Sequence, residues 1–200
     1  MLDICKLSKK NKVYDFIFKD ILGIKTHKIL QEVFHIGTIK LDIDDTFFYD
    51  YKKKNLITKW GGLEVKEHYQ SNHDLQKNLE LGKTKKKLEN YLNFKIKKEI
   101  LKIDFLGNFR IKNLWFTIQT KNEGHSVHNH PKSILSGVYY HKIESGTGGE
   151  INIFKKKGTI EHKPKKNDLL IFSSDIYHSV KPYHGKSDRI ALAWDAIYTF

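Results

Sequence analysis

The second half of the chain constrains the fold most. From Leu114 onward, short runs rich in β-branched and aromatic residues cover Leu114–Thr120, Gly137–Ile143, Glu150–Phe154, Asp168–Ser173, His178–Pro182 and Arg189–Tyr198. Between them stand Lys121-Asn-Glu-Gly, Glu144-Ser-Gly-Thr-Gly-Gly and Tyr183-His-Gly-Lys-Ser-Asp, residues that favour turns over continued extended chain. Many short strands divided by glycine-rich turns must close on themselves or pack as two sheets to cover their apolar faces, so the expected class is mainly β, a sandwich or a barrel. A jelly roll fits, with helices of the N-terminal part packed outside it.

That first part is mixed. Leu88, Tyr91 and Leu92 fall at helical spacing after Thr84, which can cap a helix, and Asn93 is a tolerable stop. Thr38-Ile-Lys-Leu-Asp-Ile alternates like a half-buried strand, and Trp60-Gly-Gly-Leu reads as a turn. All three prolines and eight of the thirteen glycines lie after Ile100, a mild shift in composition with neither a repeat nor a linker. The reading is one compact domain with two parts: an N-terminal α+β segment, 1–110, packed on a barrel core, 111–200.

At 200 residues, 39% hydrophobic and 12% aromatic, the chain can bury a core of its own. A lone Cys5 can form no internal disulfide, no apolar stretch is long enough to span a bilayer, and the first residues lack the pattern of a secretory leader. A secreted scaffold and a membrane partner are thereby disfavoured, and the expected compartment is cytoplasmic. The net charge of +13 invites a nucleic-acid reading. Yet the surplus divides into +7 and +6 between the two halves, and only Arg110 and Arg189 of the 36 cations are arginines, the residue on which base reading leans. A lysine-rich solvated surface is favoured over a nucleic-acid footprint, which stays as an alternative. Oligomeric state stays open, a homodimer included.

The densest cluster of chemistry-bearing side chains is Gly124-His-Ser-Val-His-Asn-His-Pro131. On extended backbone, residues two apart point the same way, so His128 and His130 can aim two imidazoles at one point, a metal half-site. A third ligand must come from afar, and His178, just beyond the apolar run Asp168–Ser173, can return across a barrel mouth. With eleven histidines in the chain, a chance pair is the competing explanation for His-x-His.

Arg189, Ala191 and Ala193 share one face of the last strand. A guanidinium among small residues inside an apolar barrel suits a bidentate carboxylate ligand, since without an anion its burial is costly. The bland alternative is an internal ion pair with Asp188 or Asp195.

His128-Asn-His-Pro-Lys-Ser-Ile-Leu-Ser-Gly-Val-Tyr-Tyr140, Gly148-Gly-Glu-Ile-Asn-Ile-Phe154, Pro164–Ser174, His178-Ser-Val and Asp188-Arg-Ile-Ala-Leu-Ala-Trp194 resemble, in order and interval, the 2-oxoglutarate/Fe(II) oxygenases of marine bacteria and their phages. The likeness covers roughly residues 110 to 198. It implies a double-stranded β-helix, with Fe(II) at the barrel mouth held by His128, His130 and His178. It also implies 2-oxoglutarate bound by the metal and by Arg189, O2 as co-reactant, ascorbate as a reductant, and release of succinate and CO2 as a substrate is hydroxylated.

Two departures stand out. Better-known oxygenases of this fold carry His-x-Asp/Glu, whereas His130 here makes all three ligands neutral; a carboxylate from Glu150 or Asp175 is the alternative. Ala191 stands where the pattern has a hydroxyl residue, removing one hydrogen bond to the cosubstrate. Tyr140 is a candidate for contact with that cosubstrate. His125 could line the entrance, His184 sits in a turn, and Ser133 and Ser136 show no base-and-acid arrangement of a nucleophile. A cupin-like metal protein or oxoglutarate-independent metalloenzyme is the runner-up, weakened because Ile134 and Leu135 stand where a cupin glutamate belongs. No motif names the prime substrate.

Overall fold

The computed structural model describes residues 33–55, 68–102, 107–144, 148–156 and 158–199. Cys5 and the Trp60-Gly-Gly turn lie outside them. Among the described residues, ten strands run β1 (Phe34–Thr38), β2 (His68–Gln70), β3 (Asn108–Gln119), β4 (Glu123–His128), β5 (Leu135–Lys142), β6 (Ile151–Lys155), β7 (Gly158–His162), β8 (Asp168–Ser173), β9 (Tyr177–Tyr183) and β10 (Arg189–Thr199). They form a six-stranded sheet, β1-β8-β5-β10-β3-β2, and a four-stranded sheet, β4-β9-β6-β7, with antiparallel ladders in both. This is the jelly roll, and β1 and β2 from the N-terminal part extend its larger sheet at both edges.

Alternation divides the larger sheet's side chains between two faces. Outward go Leu114, Phe116, Ile118, Tyr139, Leu169, Ile171, Ile190, Leu192 and Trp194, all in one buried cluster that helices cover. Trp194 crosses β5 where only glycine fits, because a Cβ at Gly137 would lie 2.1 Å from its ring. Helix α1 (Asp45–Lys54) starts at Asp44, whose carboxylate accepts from the Thr46 amide, and sets Phe48 edge-on to Phe116 with centroids 5.0 Å apart.

Helix α2 (Gly82–Tyr91) runs on as a wider π-wound turn, Leu92–Ile100, and buries Leu88, Leu92 and Ile96 against the same sheet. The helix therefore passes Asn93 instead of stopping there. The Asn93 amide donates to Glu89 O and Phe109 O and accepts from the Phe109 amide, so it ties the helix to β3. Thr84 is buried inside the first turn and is not the cap, whose place Leu81 takes without a side-chain bond. The segment after Thr38 keeps its alternation, with Ile39 and Leu41 buried and Lys40 and Asp42 exposed, but it joins no ladder.

Inward, between the sheets, Tyr140, Ile151, Ile153, Leu170, Phe172, Ile176 and Ala191 form a second, smaller apolar cluster. It is the interior of the barrel, and the polar residues considered next stand at its two ends.

Candidate metal centre and diacid pocket

His128 ends β4 and faces His178 directly across the ladder to β9, with ring centroids 4.2 Å apart. His130 follows in the turn beyond β4, where its amide donates to Ser174 O at 2.8 Å. The nitrogen ligand atoms of the three rings all lie within 4.8 Å of one another, the group of this kind found among the described residues. Glu150 and Asp175 do not join it.

Each ring is held from behind. The Nδ1 of His128 lies 2.8 Å from Ser126 O, that of His178 lies 3.2 Å from Ile176 O, and that of His130 lies 3.2 Å from Asp195 Oδ1. All three partners are acceptors only, so each Nδ1 must carry the hydrogen and each Nε2 is left with a bare lone pair. That is the tautomer a metal requires, fixed by the outer hydrogen bond. Burial, then repulsion from His128, pushes the His178 pKa down to about 3, and burial lowers that of His128 as well. Both are thus held neutral and ready to coordinate.

Asp195 is itself buried and accepts from Ser136 Oγ at 2.7 Å and from Asn113 Nδ2 at 3.3 Å. Burial pushes its carboxyl up, but the bonds from His130, Ser136 and Asn113 outweigh this and hold it below the usual range. Asn113 reaches it where the β3–β10 register shifts beside Asp195, skipping Lys112.

At the other end of the interior, Arg189 is 2% exposed and its guanidinium lies 5.0 Å over the Tyr140 ring. Among the described residues no carboxylate pairs with it: Asp188 accepts from Tyr49 Oη at 3.0 Å, and Asp195 serves His130. The ion-pair alternative therefore does not hold there. Burial pulls its pKa down, with Tyr140 opposing. Gln119, the ladder neighbour of Arg189, is wholly buried with neither amide atom bonded; Tyr140 Oη and Arg189 Nε are likewise buried and unbonded. Gly149, at φ +75°, lets the chain close over this corner, a Cβ there lying 3.4 Å from Arg189 Nε. Orphaned buried polar atoms are rare, and three around one cation fit a ligand with a carboxylate end.

The two ends flank one apolar cluster. Phe172 touches His178, with centroids 4.7 Å apart, while Tyr140 touches Arg189, and both aromatic residues belong to the inner apolar cluster. Sequence reasoning did not find Gln119, or Asp195 in its role behind His130. His125 lies on β4 with its ring centroid 6.1 Å from His128, and His184 Nδ1 lies 3.0 Å from Asn122 Oδ1 in its turn.

Residues 113–162, which include His128, His130 and Tyr140, match the family described as "Putative 2OG-Fe(II) oxygenase". Among solved structures, the chain is similar to a prolyl-4-hydroxylase from Pseudomonas putida (14% identity, 86% of this chain and 96% of that one, TM-score 0.60). It is also similar to HygX from Streptomyces hygroscopicus with nickel and 2-oxoglutarate bound (11%, 88% and 87%, 0.60). A third is the viral collagen prolyl hydroxylase of Paramecium bursaria Chlorella virus-1 in its 2OG complex (17%, 81% and 95%, 0.54). No curated protein matches the chain in sequence. Those structures share its fold, and the matched segment carries two of its three clustered imidazoles. Residues 113–162 are thus similar to that oxygenase family, and the chain shares the fold of these 2-oxoglutarate-bound and prolyl hydroxylase structures.

Proposed function

We propose that His128, His130 and His178 hold one Fe(II), that Arg189 takes the distal carboxylate of 2-oxoglutarate, and that Tyr140 and Gln119 complete that pocket. The observation carrying this reading is that three buried or half-buried rings meet with every Nδ1 bonded outward. Bound iron supplies the redox chemistry by which O2 and 2-oxoglutarate give succinate, CO2 and a hydroxylated C–H bond.

The chain's own residues do the rest. The outer hydrogen bonds fix the tautomer and aim each Nε2 inward, while burial keeps His128 and His178 neutral. Arg189 offers a planar fork to a carboxylate in a site of low dielectric, where a charge-assisted pair is strong. Tyr140, its pKa raised by burial, stays protonated and can donate, and Gln119 can donate through Nε2. Ile151, Ile153, Leu170 and Phe172 keep the space between the two ends dry. Ala191, lacking a hydroxyl, makes room between the poles, and Gln119 supplies the bond it cannot.

The narrower kinship with enzymes of marine bacteria and phages rests on the quoted motifs. A cytoplasmic location rests on the single cysteine; no helix among the described residues is long and apolar enough to cross a membrane. The lysine surplus favours an anionic substrate over a neutral one through steering, with nucleic acid a less favoured member of that class. The test is anaerobic Fe(II) titration followed by succinate formation from 2-oxoglutarate under air with ascorbate. One iron per chain and succinate that depends on both additions are expected; absence of stoichiometric metal would overturn the reading.

A further inference from the structure

The carboxylate absent from the ligand set is present one hydrogen bond away. His128 and His178 lean on neutral backbone carbonyls, whereas His130 alone leans on a charged side chain, Asp195, at 3.2 Å. Asp195 is 5% exposed and is the acceptor for all three of its partners, His130, Ser136 and Asn113, an arrangement that only the ionised carboxylate satisfies throughout. Its other partners are fixed as well: Ser136 Oγ is shared with Ser174 Oγ at 2.8 Å, and the His130 amide donates to Ser174 O.

Asp195 stands on the same inward face of β10 as Arg189, with Ala191 and Ala193 between them. One strand thus presents a cation at the diacid end and an anion at the metal end. Three neutral ligands, a doubly charged metal, a doubly charged cosubstrate and Arg189 sum to +1, and Asp195 brings the buried total to zero, as a direct carboxylate ligand would.

We propose that Asp195 is a positioning residue that orients His130 and supplies, through its ring, the negative charge that the three-histidine set lacks. This rests on the metal centre proposed above. Asp195 touches neither metal nor substrate, and its effect is to make His130 the most strongly donating of the three rings.

The test uses the full chain stripped of metal and titrated anaerobically with Fe(II), and with Ni(II) against a competing chelator, circular dichroism monitoring the fold. Asp195→Asn keeps an acceptor for Nδ1 but removes the charge, and should weaken metal binding about 10- to 100-fold. The double variant His130→Asp with Asp195→Asn, whose carboxylate binds directly and has no second anion behind it, should regain most of that loss. The charge of His130→Asp alone would face Asp195, so it should bind more weakly than the double variant.

A second measurement needs no variant: in the Zn(II)-loaded protein the His130 Nδ1 proton should lie furthest downfield of the three, because its bond alone is charge-assisted. Asp195→Asn binding within twofold of the wild type, or a His130 proton no further downfield than those of His128 and His178, would overturn the role of Asp195 while leaving the metal centre standing. A wild-type chain that takes up no metal would overturn both.

Discussion

His128 and His178 are paired residues of neighbouring antiparallel strands, and their rings stand 4.2 Å apart at the end of the smaller sheet. Such closeness between two bases, with a third beside them, is costly when two rings are protonated at once and productive when a cation sits between the lone pairs.

Metal and stability should therefore be linked. A ligand that binds only the folded state raises its stability in proportion to the logarithm of its concentration over Kd. The wild-type melting temperature should climb with added Ni(II), and that of His178→Ala should not. His178 packs on Phe172 inside the barrel, so the variant should lose bound metal while keeping its β-type circular dichroism. Equal metal content in wild type and variant, by elemental analysis, would contradict the assignment.

Substitution of Arg189 should separate cosubstrate binding from metal binding. Removing two charge-assisted bonds at about 1.5–3 kcal/mol each should weaken 2-oxoglutarate by more than a hundredfold in Arg189→Leu. Metal affinity should be unchanged. The free protein should lose little stability, since the variant relieves a buried cation with no carboxylate partner among the described residues. Calorimetric titration of the nickel-loaded variant with 2-oxoglutarate measures the first effect, and urea unfolding of the free protein the last.

Gln119 is a milder case of the same logic. Both its amide atoms are buried and unbonded, so Gln119→Leu should leave the free protein equally or more stable. In the same titration it should cost about ten- to hundredfold in affinity for 2-oxoglutarate, the loss of one hydrogen bond to a carboxylate. Unaltered affinity would remove Gln119 from the pocket.

Acid should destabilise the metal-free protein through His178. Its folded pKa of about 3 lies below the unfolded value of 6.5, so between these limits the unfolded chain binds a proton that the folded chain refuses. The stability from this group is complete above about pH 6.5 and falls as pH drops towards 3, by up to about 1.4 kcal/mol per pH unit. Asp195, with its lowered pKa, acts in the same direction at the acid end. Urea midpoints at pH 7, 5.5 and 4.5 should fall more steeply for the wild type than for His178→Gln; parallel lines would contradict this.

Much of this was legible in the sequence, and the gaps have physical causes. Asp168–Ser173 reads as a strand at the bounds the structure gives it, because every second residue of a buried strand is apolar and so are those between. Four strands went unread: β1 and β2 of the N-terminal part, and β4 and β7, the two edges of the smaller sheet. In the smaller sheet's edges, β4 carries the half-buried Glu123 and His125 and the exposed Ser126, and β7 the exposed Thr159 and Glu161, which erase the apolar alternation. The His-x-His pair was legible because two-residue spacing on extended chain is local geometry, and His178 because it follows the apolar run Asp168–Ser173. Gln119 was not, since its place beside Arg189 is a matter of register between distant strands. Asp195 could have been placed better: six residues along a strand separate it from Arg189 by about 20 Å, too far for the ion pair considered.

The most direct measurement is an anaerobic crystal structure with Fe(II) or Ni(II) and 2-oxoglutarate. It should show one ion about 2.0–2.2 Å from the Nε2 atoms of His128, His130 and His178, with the far carboxylate of 2-oxoglutarate on Arg189. An ion held by other side chains, or a guanidinium turned away from the diacid, would contradict the account.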